Sequence, residues 1–442
     1  MLELRYKTIL GVALPMMVSG FIQSIVLITD AAFISRYSTE AFDAVGNGGL
    51  IFVTMYMCLL GLGDGSQIII ARRIGEKRPE EIGRVFGSSV LINFCLASLL
   101  FCFLYFVMPS AIIAYSKNQG IAGMQGDYIQ FRSFALFFLM ITIAIQAFFL
   151  AKGKTVVVLI AAIITALSNV FLDYVLIFGE MGFPEMGLKG AALASTIADG
   201  LGMLFLVVYL YFSDEKRKYD LFSYFSYNWQ SIKELLKVGS PLMLQGFLAL
   251  GTWTLFFTWL EQKGQFDLTV SQNIRSIYFL AFVPLWGFAG TTKTYVSQYL
   301  GAKKFDKIPV IQRKIQLLTI GFLILSFHGA ILYPEKLILM INPEEIYLKK
   351  SAEILKLISC SVLLFGIVSV YFQTIHGSGN TVHSMLIEFL TVFIYSIFSF
   401  LFIKCWNFDV YWIWTVEYIY FGVMGLLSIL YLRFYNWREK IV

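Results

Sequence analysis

The sequence predicts an all-α integral membrane protein: twelve transmembrane helices in two six-helix lobes, related by a pseudo-two-fold axis along the membrane normal. Three observations predict it. Of 442 residues, 58% are hydrophobic and only 14% charged, with a mean hydropathy of +0.74, whereas a soluble domain carries about a quarter charged residues. Apolar stretches of the ~20 residues needed to cross a ~30 Å hydrocarbon core recur along the whole length. Finally, the chain repeats itself without a gap at an offset of 226 positions. Pro15 falls on Pro241, Met17 on Met243, Gly20 on Gly246, Asn47 on Asn273, Gly61 on Gly287, Lys77 on Lys303 and Gly153 on Gly379.

Each span follows from its own composition. The apolar limits are 8–35, 45–71, 85–108, 127–150, 155–178 and 187–212 in the first copy. The second copy gives 231–260, 270–298, 310–333, 351–375, 381–403 and 410–433. Runs this uniform must be helices, because lipid offers no partner for a backbone amide; barrel strands would alternate with period two. The first run is too long for a signal-peptide core and lacks an A-x-A site, so it reads as the first span. Residues 213–229 carry Asp214, Glu215, Lys216, Arg217 and Lys218 and then an aromatic, polar run, which suits a linker lying partly on the membrane surface. The division is therefore 1–212, a linker at 213–229, and 230–442. An even number of spans per copy makes both copies enter from one side, a parallel repeat with substrate sites expected between the copies.

Orientation follows from lysine and arginine. Arg72, Arg73, Lys77, Arg78 and Arg84, then Lys152, Lys154, Lys216–Lys218, Lys303, Lys304, Lys307, Arg313, Lys314, Arg433, Arg438 and Lys440 fall on one side. The other side holds mainly Arg36, Lys117, Lys189, Lys263, Lys336, Lys349, Lys350 and Lys404. Both termini are thus expected in the cytoplasm, with the chain in a bacterial or archaeal cell membrane. The net charge of +6 is mostly this bias and calls for no nucleic-acid partner. No stretch outside the spans is long enough for a soluble domain, and no G-x-x-x-x-G-K-[ST] loop holds nucleotide, so pumping must draw on an ion gradient. Five cysteines without paired spacing read as packing residues. Three histidines are too few for a haem or zinc cluster, and no cofactor is expected.

Two carboxylates break the internal likeness: Asp30 faces Phe256 in the register and Asp173 faces Ser399. Both stand about five residues, ~7 Å at 1.5 Å per residue, from the outer ends of spans one and five. Asn169 lies one turn below Asp173 on the same face, and span six brings Ser195 and Thr196 down about 12 Å from outside. Two carboxylates, an amide oxygen and hydroxyls suit a hard cation such as Na+, or a shared proton, since paired carboxylates repel and one then takes the proton up. Snorkelling to the headgroups is the alternative for either acid alone.

Asp199, one turn from Ser195, extends a polar path inward or bonds a neighbouring helix. Glu388 and Glu417 line an aqueous cavity or pair locally. Asp64 and Lys293, near the inner ends of spans two and eight, either snorkel or form a salt bridge that latches an inner gate. Pro15 and Pro241 each remove a backbone bond and permit a kink, a hinge or a static packing shape.

These residues resemble the multidrug and toxic compound extrusion (MATE) transporters, in the DinF-like prokaryotic branch, over essentially the full length. The matching features begin with Leu14-Pro15 followed fifteen residues later by Asp30, and the run from Gly61 through Ser66-Gln67 to Gly75. More specific are Asn169-Val-Phe-Leu-Asp173 continuing to Gly179, then Gly182-Phe-Pro184 and Gly190-Ala-Ala-Leu-Ala194. The resemblance implies a V-shaped pair of lobes, a monomer in lipid, exporting bulky and often cationic small molecules in exchange for Na+ or H+. It implies cation ligands at Asp30, Asn169 and Asp173 and a hydroxyl position at Ser195, with Thr196 beside it. Other branches use an acid within span seven or ten; here span seven offers only Glu261 at its outer edge and span ten has no aspartate. A flippase for lipid-linked saccharides on the same superfamily fold is the second reading, though it wants a strongly cationic cavity. A polytopic enzyme or a passive channel fits the residues less well.

Overall fold

In the computed structural model, residues 1–115, 118–222 and 228–438 are described; Lys117 and Lys440 of the charge bias and positions 223–227 of the linker lie outside the described residues. The first copy folds as α1 (Tyr6–Tyr37), α2 (Thr39–Glu76), α3 (Pro79–Cys102), α4 (Met108–Tyr115), α5 (Gln119–Ser133), α6 (Ala135–Lys152), α7 (Thr155–Phe178) and α8 (Gly187–Phe212). A short α9 (Asp214–Tyr219) follows. The second copy comprises α10 (Trp229–Lys263), α11 (Gln265–Gly301), α12 (Ile308–Phe327), α13 (Gly329–Leu332) and α14 (Pro334–Ile341). It ends with α15 (Glu345–Gly377), α16 (Thr381–Phe400), α17 (Val410–Ile413) and α18 (Val416–Phe434).

Twelve of these segments are long and apolar enough to cross a membrane, in the order the sequence predicts. Boundaries shift by several residues at many ends, and the span expected at 310–333 ends with α12 at Phe327, before the separate α13; two further differences are larger. The third span runs on through a π turn at Phe103–Val107 into α4, reaching Ala114. The expected span at 127–150 is broken at Phe134 into α5 and α6. There the buried Ser133 hydroxyl donates to the Gln130 carbonyl at 2.7 Å, a local bond that competes with the helical ladder.

The repeat is conformational as well as sequential. Lys77 and Lys303 close their helices in the left-handed region at φ 60° and 56°, and Gly153 and Gly379 do so at 75° and 79°. Glycine takes that conformation without strain, whereas lysine pays for its Cβ.

By packing, the chain forms two compact units: Leu14–Met243, and Leu244–Val442 together with Met1–Ala13. Their limits fall inside α1 and α10, one residue before Pro15 and two after Pro241. The duplicated sequence and the packing thus divide the chain differently, because each unit holds the first turns of the other copy's leading helix.

The contacts that hold those turns are specific. A Cβ on Gly61 would lie 2.6 Å from the Met243 nitrogen, and one on Gly65 would lie 2.9 Å from the Gly239 Cα, so glycine lets α2 and α10 approach backbone to backbone. Arg73 then ties α2, α3 and α10 together, meeting Glu76 at 2.8 Å, Glu81 at 2.7 Å and Glu234 of α10 at 3.2 Å. In the other unit the N-terminal segment, residues 1–5, is held by its backbone. Leu2 N–H donates to Gln298 Oε1 at 2.9 Å, while the Tyr299 and Tyr295 hydroxyls donate to the Leu2 and Glu3 carbonyls at 2.9 and 3.0 Å.

The cysteines depart from expectation. Only Cys58 is buried; Cys95, Cys102, Cys360 and Cys405 are exposed, so packing explains one of the five.

Candidate functional site

The predicted acids meet in the unit 14–243. Asp30 comes from α1; Asn169 and Asp173 come from α7, one turn apart on its buried face, 2% and 0% exposed. Ser195 comes from α8, whose small residues bring it close to α7. A Cβ on Gly190 would stand 2.5 Å from the Leu176 carbonyl oxygen, and one on Gly202 2.1 Å from Thr165 Oγ1. At that separation Asn169 Nδ2 donates to Ser195 Oγ at 3.2 Å.

The two carboxyls face one another within side-chain hydrogen-bond reach, an approach that needs a proton or a cation between them. Asp30 Oδ1, Asn169 Oδ1 and both oxygens of Asp173 are buried and receive no donor from the described protein. Buried acceptors are nearly always partnered, so four such oxygens on two helices fit a positively charged guest. The donor set is all oxygen, as a hard cation prefers. Among the described residues no group of three His, Cys, Asp or Glu gathers to hold a metal, so the amide and the carboxyl pair have to suffice.

Other predicted residues stand apart from this set. The Thr196 hydroxyl donates to the Ala192 carbonyl at 2.7 Å, which turns it to its own backbone. Asp199 bonds a neighbouring helix, the second of the roles its position allowed: Arg132 of α5 reaches it at 2.6 Å, both side chains about one-seventh exposed (14% and 13%). The guanidinium also lies 4.5 Å over the Phe52 ring, a favourable cation–π placement. Its charge acts on Asp30 and Asp173 too, so the oxygen cage has a resident cation beside it.

Arg132 is the residue that sequence reasoning missed. A signal was present, since an arginine inside an apolar span requires an acidic partner and Asp199 was the unassigned acid. Asp64 sits on α2 and Lys293 on α11, in different compact units. Pro15 lies within α1 and Pro241 within α10, and neither ends its helix. Beside Pro15, the Ser19 hydroxyl donates to its carbonyl at 2.8 Å.

In the second copy the register positions of the two aspartates are occupied differently. Phe256 is 1% exposed and packs its ring 5.6 Å from Trp414 and 5.9 Å from Tyr395; Ser399 is wholly buried. Glu388 and Glu417 take the second of the two roles expected of them and pair locally. Tyr420 donates to Glu388 at 2.5 Å, and Tyr278 and Tyr395 donate to Glu417 at 2.8 and 3.2 Å.

Comparison with known proteins agrees with this architecture. The MatE family model matches residues 15–175 and again 241–401, two matches offset by 226 at both ends (241 − 15 and 401 − 175). The probable multidrug resistance protein NorM of Thermotoga maritima is 26% identical over 394 residues, covering 88% of this chain and 83% of its own. A MOP superfamily transporter from Pyrococcus furiosus, described as having a binding pocket of reverse polarity that suggests a different function, superposes with a TM-score of 0.90. It is 18% identical and covers 98% of this chain and 97% of that one. A multidrug resistance MATE family transporter in an outward-facing conformation gives 0.87 at 19% identity, over 99% and 97%. At such identities the two structures speak for the fold. The family match, repeated in both copies and carried on twelve membrane-length helices, speaks for kinship: the chain belongs to the MatE family, the MATE transporters, and is a multi-pass membrane transporter rather than an enzyme.

Proposed function

We propose that this transporter is a secondary antiporter that exports bulky, often cationic organic compounds in exchange for Na+ or H+, with the coupling ion bound in the first copy. The observation that carries the reading is the set of four donor-less buried oxygens on Asp30, Asn169 and Asp173, placed in one copy only. Ser195 holds the Asn169 amide nitrogen and so directs its oxygen toward the acids. Asp199 and Arg132 set the field around the cage without entering it.

Coupling needs the ion to bind with different affinity in two conformations. A guest between Asp30 on α1 and Asp173 on α7 joins those helices; its departure leaves two facing carboxylates that repel. Pro15 lies below Asp30 in α1, at the limit of a compact unit, and removes one backbone bond there, so it is the point at which α1 yields to that repulsion. By this reading the lobes 1–212 and 230–442 alternate access as monomers in a prokaryotic cell membrane, both termini cytoplasmic. The names of the multidrug resistance relatives support the substrate class.

The test is ion-swap transport in proteoliposomes: ethidium efflux under an imposed sodium gradient alone, then under a pH gradient alone. One of the two drives efflux in the native protein, and Asp30→Asn or Asp173→Asn lowers it by about a hundredfold. Native rates in both variants across a matched gradient would refute the site.

A further inference from the structure

The second copy holds a buried acid for which the coupling site has no use. Glu388 of α16 is 3% exposed, and no lysine, arginine or histidine among the described residues bonds or pairs with it. Two groups face it. The Tyr420 hydroxyl of α18 donates at 2.5 Å, and the carboxamide of Gln245, on α10, hydrogen-bonds to it. Beyond them, Glu417 of α18 and Tyr395 of α16 act on Tyr420 but not on Glu388 itself. The second observation is the amide: Gln245 is 8% exposed and its Oε1 is buried without a partner.

These groups accommodate both states of the carboxyl. Ionised, it accepts from the Tyr420 hydroxyl and from Gln245 Nε2–H. Protonated, its O–H needs an acceptor, and the same amide turned over presents the oxygen that otherwise lacks a donor. A sodium ion here would have to displace the hydrogen bond that Glu388 already accepts from the Tyr420 hydroxyl, whereas the oxygens of the first copy's cage have no donor to lose. Gln245 stands one helical turn after Pro241, two residues past the point where α10 passes from one compact unit to the other.

We propose that Glu388 is a proton-binding site of the second copy, that Gln245 turns over with its protonation, and that α10 responds at Pro241, where the helix lacks one backbone bond. The site is independent of the Asp30 and Asp173 cage and uses helices that carry no acid at the corresponding positions of the first copy, where the register gives Ala162 and Ser19.

The test is infrared difference spectroscopy of the full chain in liposomes, stepping the pH between about 9 and about 5, a window wide enough for a perturbed glutamate. The native protein gains a protonated-carboxyl C=O band on acidification, and Glu388→Gln loses one component of it. Gln245→Leu keeps that component but shifts its frequency, since the O–H acceptor is gone, and moves its midpoint by about one pH unit or more. The component persists in Asp30→Asn and Asp173→Asn, which separates this site from the proposed coupling cage. In transport, ethidium efflux under whichever gradient drives it in the native protein falls at least about fivefold in Glu388→Gln, the low end of typical coupling. A Glu388→Gln spectrum that superposes on the native one overturns the proposal. So does an unmoved band in Gln245→Leu, or a component that answers to sodium at fixed pH.

Discussion

The two copies solve the same problem, an acid inside a membrane protein, in opposite ways. In the first, Asp30 and Asp173 face each other with four oxygens lacking donors, and the nearest balancing charge is Arg132, itself bound to Asp199. In the second, each glutamate stands in an aromatic wall that supplies hydroxyl donors, two of them to Glu417. By the proposed function the first arrangement is completed by a guest. The second supplies donors to its acids from its own side chains and, by the inference above, takes a proton where it stands. Shared ancestry fixed the helices, and the side chains diverged: where the first copy has Asp30, the second has Phe256 packed against Trp414.

The comparison breaks most readily at Arg132. If the first copy depends on a resident counter-ion, Arg132→Ala strands Asp199 as a buried, unpaired carboxylate and costs about 3–5 kcal/mol. Thermal unfolding in detergent reads it. The Arg132→Ala, Asp199→Asn double variant recovers most of the loss, because the stranded charge is gone. Equal melting temperatures for the single and double variants would show that the pair is not the source.

Transport gives the next effect. Asp173→Asn removes one of the two facing acids and lowers gradient-driven ethidium efflux by about a hundredfold, toward the top of the usual coupling range, while leaving the fold intact. Asn169 Oδ1 keeps its place, so Asn169→Ala has the smaller loss. A larger loss at Asn169 than at Asp173 would make the amide, and not the acid pair, the ion's principal ligand.

Much of this was legible in the chain. The twelve spans follow from hydropathy, and the repeat from one offset. Asp30 and Asp173 stand out because they break the repeat, and Asn169 and Ser195 because an i,i+4 spacing and a depth count need only the helix rise. What the sequence hid was lateral. Arg132 and Asp199 are 67 residues apart, and no helical period shows which faces of α5 and α8 meet. The tyrosines that serve Glu388 and Glu417 come from α11, α16 and α18, and 42 Phe with 24 Tyr give too many candidates to choose among. The turns of α10 before Leu244 are held by glycine approaches, and those of α1 before Leu14 by backbone bonds of Leu2 and Glu3, and neither means anything until two helices are placed side by side.

The hydroxyl wall of the second copy predicts a pH-dependent cost. Tyr420→Phe removes the donor to Glu388. Where the carboxyl is ionised the loss is about 1.5–3 kcal/mol, and where it is protonated about 1 kcal/mol, since bonds to charged groups are stronger. Unfolding midpoints of Tyr420→Phe and native protein therefore converge as the pH is lowered. Asp173→Asn shows no such convergence arising from this donor. Parallel midpoints across the range would mean that Glu388 keeps one state throughout.

The smallest effect lies at a turn where the copies are again equivalent. Lys152-Gly153-Lys154 corresponds to Ser378-Gly379-Asn380, with the same left-handed glycine. The first turn is held by charge: Glu215 of α9 pairs with Lys152 and with Lys154 at 2.8 Å. The second is held by neutral groups, Asn380 Nδ2 donating to Ser378 Oγ at 2.7 Å and to the Trp437 carbonyl at 3.1 Å. Burial pushes the Glu215 carboxyl up, but hydrogen bonds and charge from the two lysines outweigh it and hold it below its ordinary 4.5. A depressed acid stabilises above that value, and the contribution disappears as the pH falls through the lowered one. Glu215→Gln should thus cost about 1 kcal/mol at neutral pH, no more, because Lys154 is half exposed to water and screened. The difference from native protein closes below pH 4.5 and shrinks in high salt. Asn380→Ala, by contrast, leaves a cost that neither acid nor salt removes. Proteolytic nicking of the 213–229 linker, followed against pH, reads the first turn alone, and a nicking rate indifferent to salt in native protein would remove the electrostatic account of it.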